Sequence, residues 1–252
     1  NNGTYVSWNW KAGGSASNNT DGNTTTSVSV NQDAGFSIMK YAGDGNDSTI
    51  GHGLGAKPEY IIFKETDGTE SWRVHSIYTP NNASNTLALN LNDAAFSQSN
   101  WISAISNTTI SIGTDSSFNT DGNNYIAYAF APKQGYSKFG SYTGNGNADG
   151  SFVYLGFKPA WVMVKRSSGT GHWMILDNKR SASGGFNVLG ERIKANATDA
   201  GATDVYMDFL ASGFKFRTTT ATSWNDSGST YIFMAFAEEP FVTSTGIPAT
   251  AR

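Results

Sequence analysis

Residues 154–173 read Tyr-Leu-Gly-Phe-Lys-Pro-Ala-Trp-Val-Met-Val-Lys-Arg-Ser-Ser-Gly-Thr-Gly-His-Trp, and residues 53–72 read Gly-Leu-Gly-Ala-Lys-Pro-Glu-Tyr-Ile-Ile-Phe-Lys-Glu-Thr-Asp-Gly-Thr-Glu-Ser-Trp. In both stretches Leu-Gly-x-Lys-Pro precedes an aromatic residue and three apolar residues, and a Gly-Thr turn then leads to a tryptophan. A repeat of this kind divides a chain into structural units. The two copies therefore predict an internal duplication.

Each copy has the pattern of a strand that is buried on both faces. Ile61–Phe63 and Val162–Val164 are apolar without alternation, which is typical of strands covered on both sides. A proline precedes each run, at a position where a sheet tolerates a residue that lacks an N–H. Asp67-Gly68 is a hairpin-turn signal after the first run. We therefore interpret Lys57 and Lys158 as marks of strand entry rather than as binding residues.

Other strand patterns recur in both halves, with turn signals at a spacing of about 8–12 residues. This spacing favours an all-β protein of two tandem β-sandwich units, jelly-roll-like in character. The predicted units span 35–133 and 134–241, followed by a C-terminal tail at 242–252. We interpret 1–34 as an N-terminal strand and linker that end an upstream unit. The alternative is that the alternating residues 5–10 pair into the first unit as an extra strand.

Composition excludes several classes of function. The chain has no cysteine, so disulfides, zinc–thiolate sites and cysteine nucleophiles are excluded. The net charge is −3 and no cluster of basic residues occurs, which argues against a nucleic-acid partner because phosphate binding needs a concentrated basic face. No apolar run reaches the ~18 residues of a membrane span, so we predict no membrane insertion. The many uncharged hydroxyl and amide side chains suit an extracellular or particle surface.

Four stretches carry a resemblance to a known group of proteins: 8–14, 51–55, 135–146 and the terminal 240–252, which reads Pro-Phe-Val-Thr-Ser-Thr-Gly-Ile-Pro-Ala-Thr-Ala-Arg. They resemble the C-terminal region of large structural proteins of marine tailed phages, where the region often follows a laminin-G or concanavalin-like sandwich. The resemblance implies a protein of the virion surface, in a tail fibre, head fibre or appendage. It also implies other virion proteins as partners and a homo-oligomer, since phage fibres are commonly trimeric. Asn9 departs from the pattern, which often has cysteine there.

The sequence shows no catalytic constellation. Its three histidines, His52, His75 and His172, have no partners at the fixed spacings of metal or catalytic motifs, and we interpret them as polar surface or turn residues. His75 corresponds to Leu176 in the second copy. No nucleophile elbow or phosphate-binding glycine loop occurs. We therefore predict a protein that is not an enzyme, although glycosidase carboxylates usually come from different strands and cannot be excluded by spacing.

Two asparagine- and aspartate-rich turns are candidates for calcium binding. Asn145, Asn147 and Asp149 place oxygen ligands at alternate positions, and Asp44 and Asn46 match them upstream. Calcium takes 6–8 oxygens, and the turn lacks the bidentate glutamate of a calcium loop. Ordinary turn chemistry explains the same residues. Calcium is the one cofactor that the sequence suggests, and no other is predicted.

Aromatic residues beside amides are the predicted ligand-binding residues: Trp224, Asn225 and Asp226, with Phe118 and Asn119 as their counterparts. An aromatic ring in a loop can stack on a sugar while neighbouring Asn and Asp side chains bind its hydroxyl groups. The alternative is an aromatic anchor that packs on the end of the sandwich, because tryptophan tends to be buried.

The sequence thus predicts a virion surface protein, a tail-fibre or appendage module that attaches to a host glycan or surface protein. One alternative is a structural module without a ligand that decorates the capsid or builds a fibre. Another is a polysaccharide depolymerase. We expect specificity where the two copies diverge, in the loops at 195–203 and 218–227.

Overall fold

The computed structural model describes residues 5–180, 187, 189–199, 201–219 and 223–238, with the backbone alone at 203–205. Over these residues the chain is an all-β protein with one short helix, α1 (Ser116–Asn119). The β-sandwich class predicted from the sequence is therefore confirmed. The predicted tail at 242–252 lies outside the described residues.

The described residues form nineteen strands in three sheets. In chain order the strands are β1 (Ser17–Asn19), β2 (Thr26–Asn31), β3 (Phe36–Ala42), β4 (Ser48–Gly51), β5 (Tyr60–Glu65), β6 (Arg73–Ser76), β7 (Asn85–Ala88), β8 (Phe96–Ser97), β9 (Ile102–Ile105), β10 (Thr109–Ile112), β11 (Asn124–Phe130), β12 (Ser137–Thr143), β13 (Phe152–Tyr154), β14 (Trp161–Arg166), β15 (Met174–Asp177), β16 (Leu189–Lys194), β17 (Ala202–Leu210), β18 (Gly213–Phe216) and β19 (Thr230–Phe236). Sheet 1 has the order β1-β2-β3-β11-β5-β6-β7-β8, sheet 2 the order β4-β10-β9, and sheet 3 the order β12-β19-β14-β15-β16-β17-β18-β13.

Sheets 1 and 2 enclose the first core and together make the first sandwich. Ile61 and Phe63 of β5 share this core with Ile50 and Ile110 of sheet 2, and all four side chains are fully buried. Phe118 of α1 packs among them and is also fully buried. The helix thus covers an end of the sandwich.

Sheet 3 alone makes the second sandwich, because it bends at β16. This strand pairs with β15 near its C-terminal end and with β17 over the rest, and its register shifts between Leu189 and Glu191. Val162 and Val164 of β14 therefore share one core with Phe214 and Phe216 of β18. The strands β17, β18 and β13 thus lie over the other half of the same sheet.

A third apolar core joins the two sandwiches face to face. Tyr60 and Phe130 of sheet 1 lie in it together with Trp161, Met163 and Phe236 of sheet 3. Alternate residues of β5 and β14 therefore enter a sandwich core on one face and the joining core on the other. Both runs of apolar residues are buried on two faces, as their lack of alternation predicts.

The N-terminal segment closes one side of the joining core. Trp8 and Trp10 are half-buried, and the ring of Trp10 lies 5.3 Å from that of Trp161 and 5.4 Å from that of Phe236. The alternation of residues 5–10 thus predicts correctly which side chains face inward. The alternative that residues 5–10 pair into the first unit as an extra strand is wrong, because no strand is assigned to this segment in the described chain. Residues 17–31, which the sequence predicts as part of a linker, contain β1 and β2 of sheet 1.

The two sandwiches share a strand order over five strands, β3-β11-β5-β6-β7 in sheet 1 and β12-β19-β14-β15-β16 in sheet 3. Their origin by duplication stays a prediction from the sequence. One of the differences between them is the pairing of a single strand. β17 pairs with β16 and with β18, whereas β9, which corresponds to β17, pairs with β10 alone among the described strands.

Candidate functional site

The two aromatic residues predicted to stack on a ligand are buried. Trp224 is 1% exposed and its ring lies 5.2 Å from that of Tyr206. Phe118 is fully buried, with its ring 4.8 Å from that of Trp101. Neither ring offers a free face, so the stacking prediction is corrected and the alternative of a packed anchor accounts for both. Their burial depends on partners distant in the chain, which local loop composition does not reveal.

Asn225 holds a neighbouring turn instead of facing solvent. Its side chain is fully buried, and its Oδ1 accepts a hydrogen bond from the Asn145 backbone N–H at 3.0 Å. Its Nδ2 donates to the Asn145 Oδ1 at 3.0 Å and to the Asn147 carbonyl at 2.9 Å. Asp226 pairs with Arg166 at 3.1 Å. These contacts fix the turn against the end of the second sandwich, so the predicted role of Asn225 in direct ligand binding is corrected.

Asn119 plays the same part in the first sandwich. It is 1% exposed, its Oδ1 accepts from the Asp44 backbone N–H at 3.1 Å, and its Nδ2 donates to the Asn46 carbonyl at 2.6 Å. In both sandwiches a residue predicted to bind a ligand therefore contacts a turn predicted to bind calcium. The former is a buried amide, and it holds the turn in place. This is a structural function, so Asn119 is not available to bind a sugar.

The oxygens predicted to bind calcium accept hydrogen bonds within their own turns. Asp44 Oδ1 accepts from the Asn46 N–H at 3.0 Å, Asn145 Oδ1 from the Asn147 N–H at 3.0 Å, and Asn147 Oδ1 from the Asp149 N–H at 2.9 Å. Burial raises the pKa of Asp44, but hydrogen bonds from Ser48 and Asn46 lower it by more. The net pKa of Asp44 therefore lies below its ordinary value. Over the described residues, no three His, Cys, Asp or Glu side chains group as metal ligands would. The geometry fits ordinary turn chemistry.

Among the described residues, the edge strand β13 carries two exposed aromatic rings on one face. Phe152 is 48% exposed and Tyr154 is 61% exposed, whereas Val153 between them is 7% exposed and belongs to the core of the second sandwich. Successive side chains of a strand point to opposite faces. Both rings therefore stand on the outer face, and we call them the aromatic pair.

Glycine residues lie beside both rings, and one of them leaves room for the Phe152 ring. A Cβ added to Gly213, the cross-strand partner of Tyr154, would lie 3.1 Å from Cε2 of Phe152 and 2.0 Å from the Val153 carbonyl oxygen. A Cβ added to Gly156 would lie 3.6 Å from the Tyr154 hydroxyl. The missing side chain of Gly213 allows the Phe152 ring to lie close to the backbone, whereas the contact between Gly156 and the Tyr154 hydroxyl is of ordinary van der Waals length.

Charged groups surround the aromatic pair. Lys138 donates from Nζ to the Tyr154 carbonyl at 2.8 Å, and the same Nζ lies 5.2 Å from the centre of the Tyr154 ring, within cation–π distance. Lys215 is the cross-strand partner of Phe152 and pairs with Asp149 at 2.5 Å. The hydrogen bond and charge of Lys215 lower the pKa of Asp149. Apolar ring faces beside fixed donors and acceptors match the surface of a sugar, which has apolar C–H faces and hydroxyl edges.

The first sandwich has no such surface at the corresponding strand, β4. Here Thr24 donates from its backbone N–H to the Thr49 carbonyl at 3.0 Å and forms a parallel bridge with Ile50. Asn19 lies so close to Gly51 that a Cβ there would be 1.6 Å from its Oδ1. The chain itself thus covers this edge, while the matching edge at β13 carries two exposed rings.

Sequence reasoning missed the aromatic pair although a signal was present. In Phe152-Val153-Tyr154 the aliphatic residue alternates with two aromatic ones, and an inward Val153 places both rings outside. The loops expected to confer specificity, 195–203 and 218–227, lie partly outside the described residues.

Comparison with known proteins gives one match. The model of a family described as a domain of unknown function, DUF7483, matches residues 1–240. No curated protein and no solved structure matches the chain. Within the described part of the chain, no helix has the length and apolar character needed to cross a membrane.

Proposed function

The chain belongs to the DUF7483 family, and we propose that it is a virion surface module that attaches to host-surface glycans through Phe152 and Tyr154. The exposure of this aromatic pair on an open strand edge is the observation that carries the proposal. The resemblance to structural proteins of marine tailed phages supplies the virion setting. The proposed module binds and does not cleave its ligand.

The size of the aromatic pair suits weak binding at each site. Burial of apolar surface contributes about 25 cal/mol per Å², so a sugar that covers roughly 100 Å² of the two rings gains about 2.5 kcal/mol from this term. A dissociation constant of 1 mM corresponds to about 4.1 kcal/mol, so hydrogen bonds to groups such as Lys138 must supply the rest. Attachment of this strength becomes effective when several copies act together, which agrees with the proposed homo-oligomer.

The carboxylates around the aromatic pair favour binding over hydrolysis. A glycosidase needs one carboxylic acid that donates a proton and a second carboxylate that acts as base or nucleophile. Asp149 pairs with Lys215 at 2.5 Å and Asp208 pairs with Arg217 at 3.1 Å. Lys215 lowers the pKa of Asp149 by its hydrogen bond and its charge, so Asp149 is not suited to be the proton donor. This supports the attachment module over the depolymerase alternative.

A glycan array tests the proposal. The wild-type protein should bind a subset of bacterial surface glycans, and the double variant Phe152→Ala/Tyr154→Ala should lose that binding. Tyr5→Ala is the matched control, because Tyr5 is an exposed aromatic residue, 82% accessible, on the N-terminal segment. The control should bind as the wild type does.

Three outcomes would overturn the proposal. Equal binding by the wild type and the double variant would show that the glycan does not bind at β13. Absence of binding by the wild type to any glycan would favour the structural module without a ligand. Release of reducing ends from a bound polysaccharide would favour the depolymerase.

A further inference from the structure

Two of the three histidines are buried, which corrects their interpretation as surface or turn residues. His52 is fully buried, but its ring is satisfied: Nδ1 accepts from the Leu54 N–H at 3.2 Å and Nε2 lies 3.4 Å from the Ser106 carbonyl. His75 is 3% exposed, and its Nδ1 has no hydrogen-bond partner among the described residues. An unsatisfied buried polar atom costs about 1–3 kcal/mol, so the position of His75 calls for a physical reason.

His75 lines a cavity of about 140 Å³ that lies between β6 and β9. The lining combines polar side chains with aliphatic ones: Lys57, His75, Asn82, Ser103, Ile77 and Ile105. Water occupies about 30 Å³ per molecule in the liquid, so the space corresponds to roughly four or five waters. That volume accommodates a carboxylate or phosphate group but not a whole oligosaccharide.

Charge at the cavity favours an anion. Lys57 is exposed and lines the opening, and Ser103, also exposed, adds a hydroxyl group from β9. Glu59 interacts electrostatically with Lys57, but its Oε2 already accepts a hydrogen bond from the Tyr78 hydroxyl at 2.9 Å. Among the described residues Lys57 forms no direct ion pair, so its ammonium group can bind an anion from solution, with an attraction that the nearby charge of Glu59 partly offsets.

The second sandwich lacks this cavity lining. His75 is the cross-strand partner of Ile61, and Leu176 is the partner of Val162 at the corresponding place. Leu176 is fully buried in an apolar core, so the fold accepts a leucine here without a polar atom. β9 is also unpaired on the side where β17 pairs with β16. Within the described residues, His75 and the unpaired edge of β9 thus occur together in the first sandwich, although the short strand β8 before β9 pairs with β7.

We propose that this cavity is a binding site for a small oxyanion, a carboxylate or phosphate group, which Lys57 attracts and to which Ser103 donates a hydrogen bond beside the His75 ring. The proposal is independent of the glycan site, which lies on the other sandwich. It also revises the interpretation of Lys57 as a mark of strand entry. Lys158 is the counterpart of Lys57 in the second sandwich, where Leu176 takes the place of His75.

Imidazole ¹⁵N resonances test the site directly, because the chain has three histidines and His75→Leu identifies the resonance of His75 by its loss. Addition of inorganic phosphate, and separately of acetate, should shift the His75 signals in a saturable way with a dissociation constant of about 1 mM. The anion with the lower constant identifies the preferred group. Lys57→Ala should weaken binding at least roughly tenfold, which corresponds to about 1.4 kcal/mol.

Lys158→Ala is the matched control, since it removes the corresponding lysine of the second sandwich and should leave the affinity unchanged. Lys57 is exposed, so its removal should preserve the fold, which the thermal unfolding temperature checks. No saturable shift at about 50 mM of either anion would mean that water alone fills the cavity and would overturn the proposal. Equal weakening by Lys57→Ala and Lys158→Ala would show non-specific attraction and would overturn it as well.

Discussion

Replacement of His75 by leucine should make the protein more resistant to mild acid. Burial and, as the smaller cause, the charge of Lys57 together lower the pKa of His75 from its ordinary 6.5 to about 4. Below about pH 6.5 the unfolded chain therefore binds a proton that the folded protein does not. Protonation of the unfolded state reduces stability, so this contribution is lost as the pH falls from about 6.5 to about 4.

The magnitude follows from the difference between the two pKa values. A separation between 6.5 and about 4 amounts to about 3.4 kcal/mol over the whole range, since one pKa unit corresponds to about 1.36 kcal/mol. Between pH 7 and pH 5 the unfolded state takes up most of one proton while the folded state takes up little. We therefore expect the free energy of unfolding to fall by about 2 kcal/mol from this residue alone over that interval.

Urea unfolding at pH 7 and pH 5 measures this effect in the wild type and in His75→Leu. Groups such as Asp44 and His52 titrate in both proteins, so they cancel when the two pH differences are subtracted. The wild type should lose about 2 kcal/mol more than the variant. Leu176 at the corresponding place indicates that leucine fits the site. Equal losses in the two proteins would refute the reasoning, because they would mean that the pKa of His75 is not lowered by folding.

Other perturbations report on the contacts that hold the two sandwiches and their turns. Asn225→Ala should lower the free energy of unfolding by about 2–4 kcal/mol, because it leaves backbone groups of the neighbouring turn unsatisfied, and thermal unfolding measures the loss. Asn225→Asp should lose at least as much, because it places a buried carboxylate oxygen against the oxygens to which Nδ2 donates. Trp10→Ala should lower the free energy of unfolding, measured in urea, by about 2 kcal/mol. This is below the usual range for a fully buried tryptophan, since Trp10 covers Trp161 from a half-exposed position. An unchanged unfolding curve would show that the N-terminal segment does not stabilise the joining core. Lys165 donates to the Asp93 carbonyl across the two sandwiches at 2.6 Å, and burial lowers its pKa to about 8. Because its folded pKa lies below that of the unfolded chain, the wild type should gain about 2 kcal/mol between pH 8 and pH 10 relative to Lys165→Met, and a parallel pH response in both proteins would contradict this.

The fold could be predicted because its central strands have a distinctive sequence. A run such as Ile61–Phe63 has no polar face, so it must be covered on both sides wherever it lies. The N-terminal segment shows the limit of the same reasoning. Alternation in residues 5–10 indicates which side chains are inside, but it does not distinguish a paired strand from an extended segment that packs through its side chains alone.

The site was harder to predict because exposure is set by contacts between distant residues. Trp224 stands beside polar loop residues, and only its contact with Tyr206 at 5.2 Å shows that it is an anchor. The aromatic pair, in contrast, is encoded locally by the alternation around Val153. For His75 the available signal is its difference from Leu176, which marks the position as divergent but does not reveal a cavity.

The central claim is that the aromatic pair is displayed on the virion surface and mediates attachment to the host. Adsorption of phage particles to host cells in the presence of an antibody fragment directed against the β13 surface tests this claim most directly. The fragment should bind intact particles and reduce adsorption, and fragment preincubated with the wild-type protein should lose this effect, whereas fragment preincubated with the Phe152→Ala/Tyr154→Ala protein should retain it. Binding to disrupted particles only, or adsorption that continues unchanged while the fragment is bound, would contradict the claim.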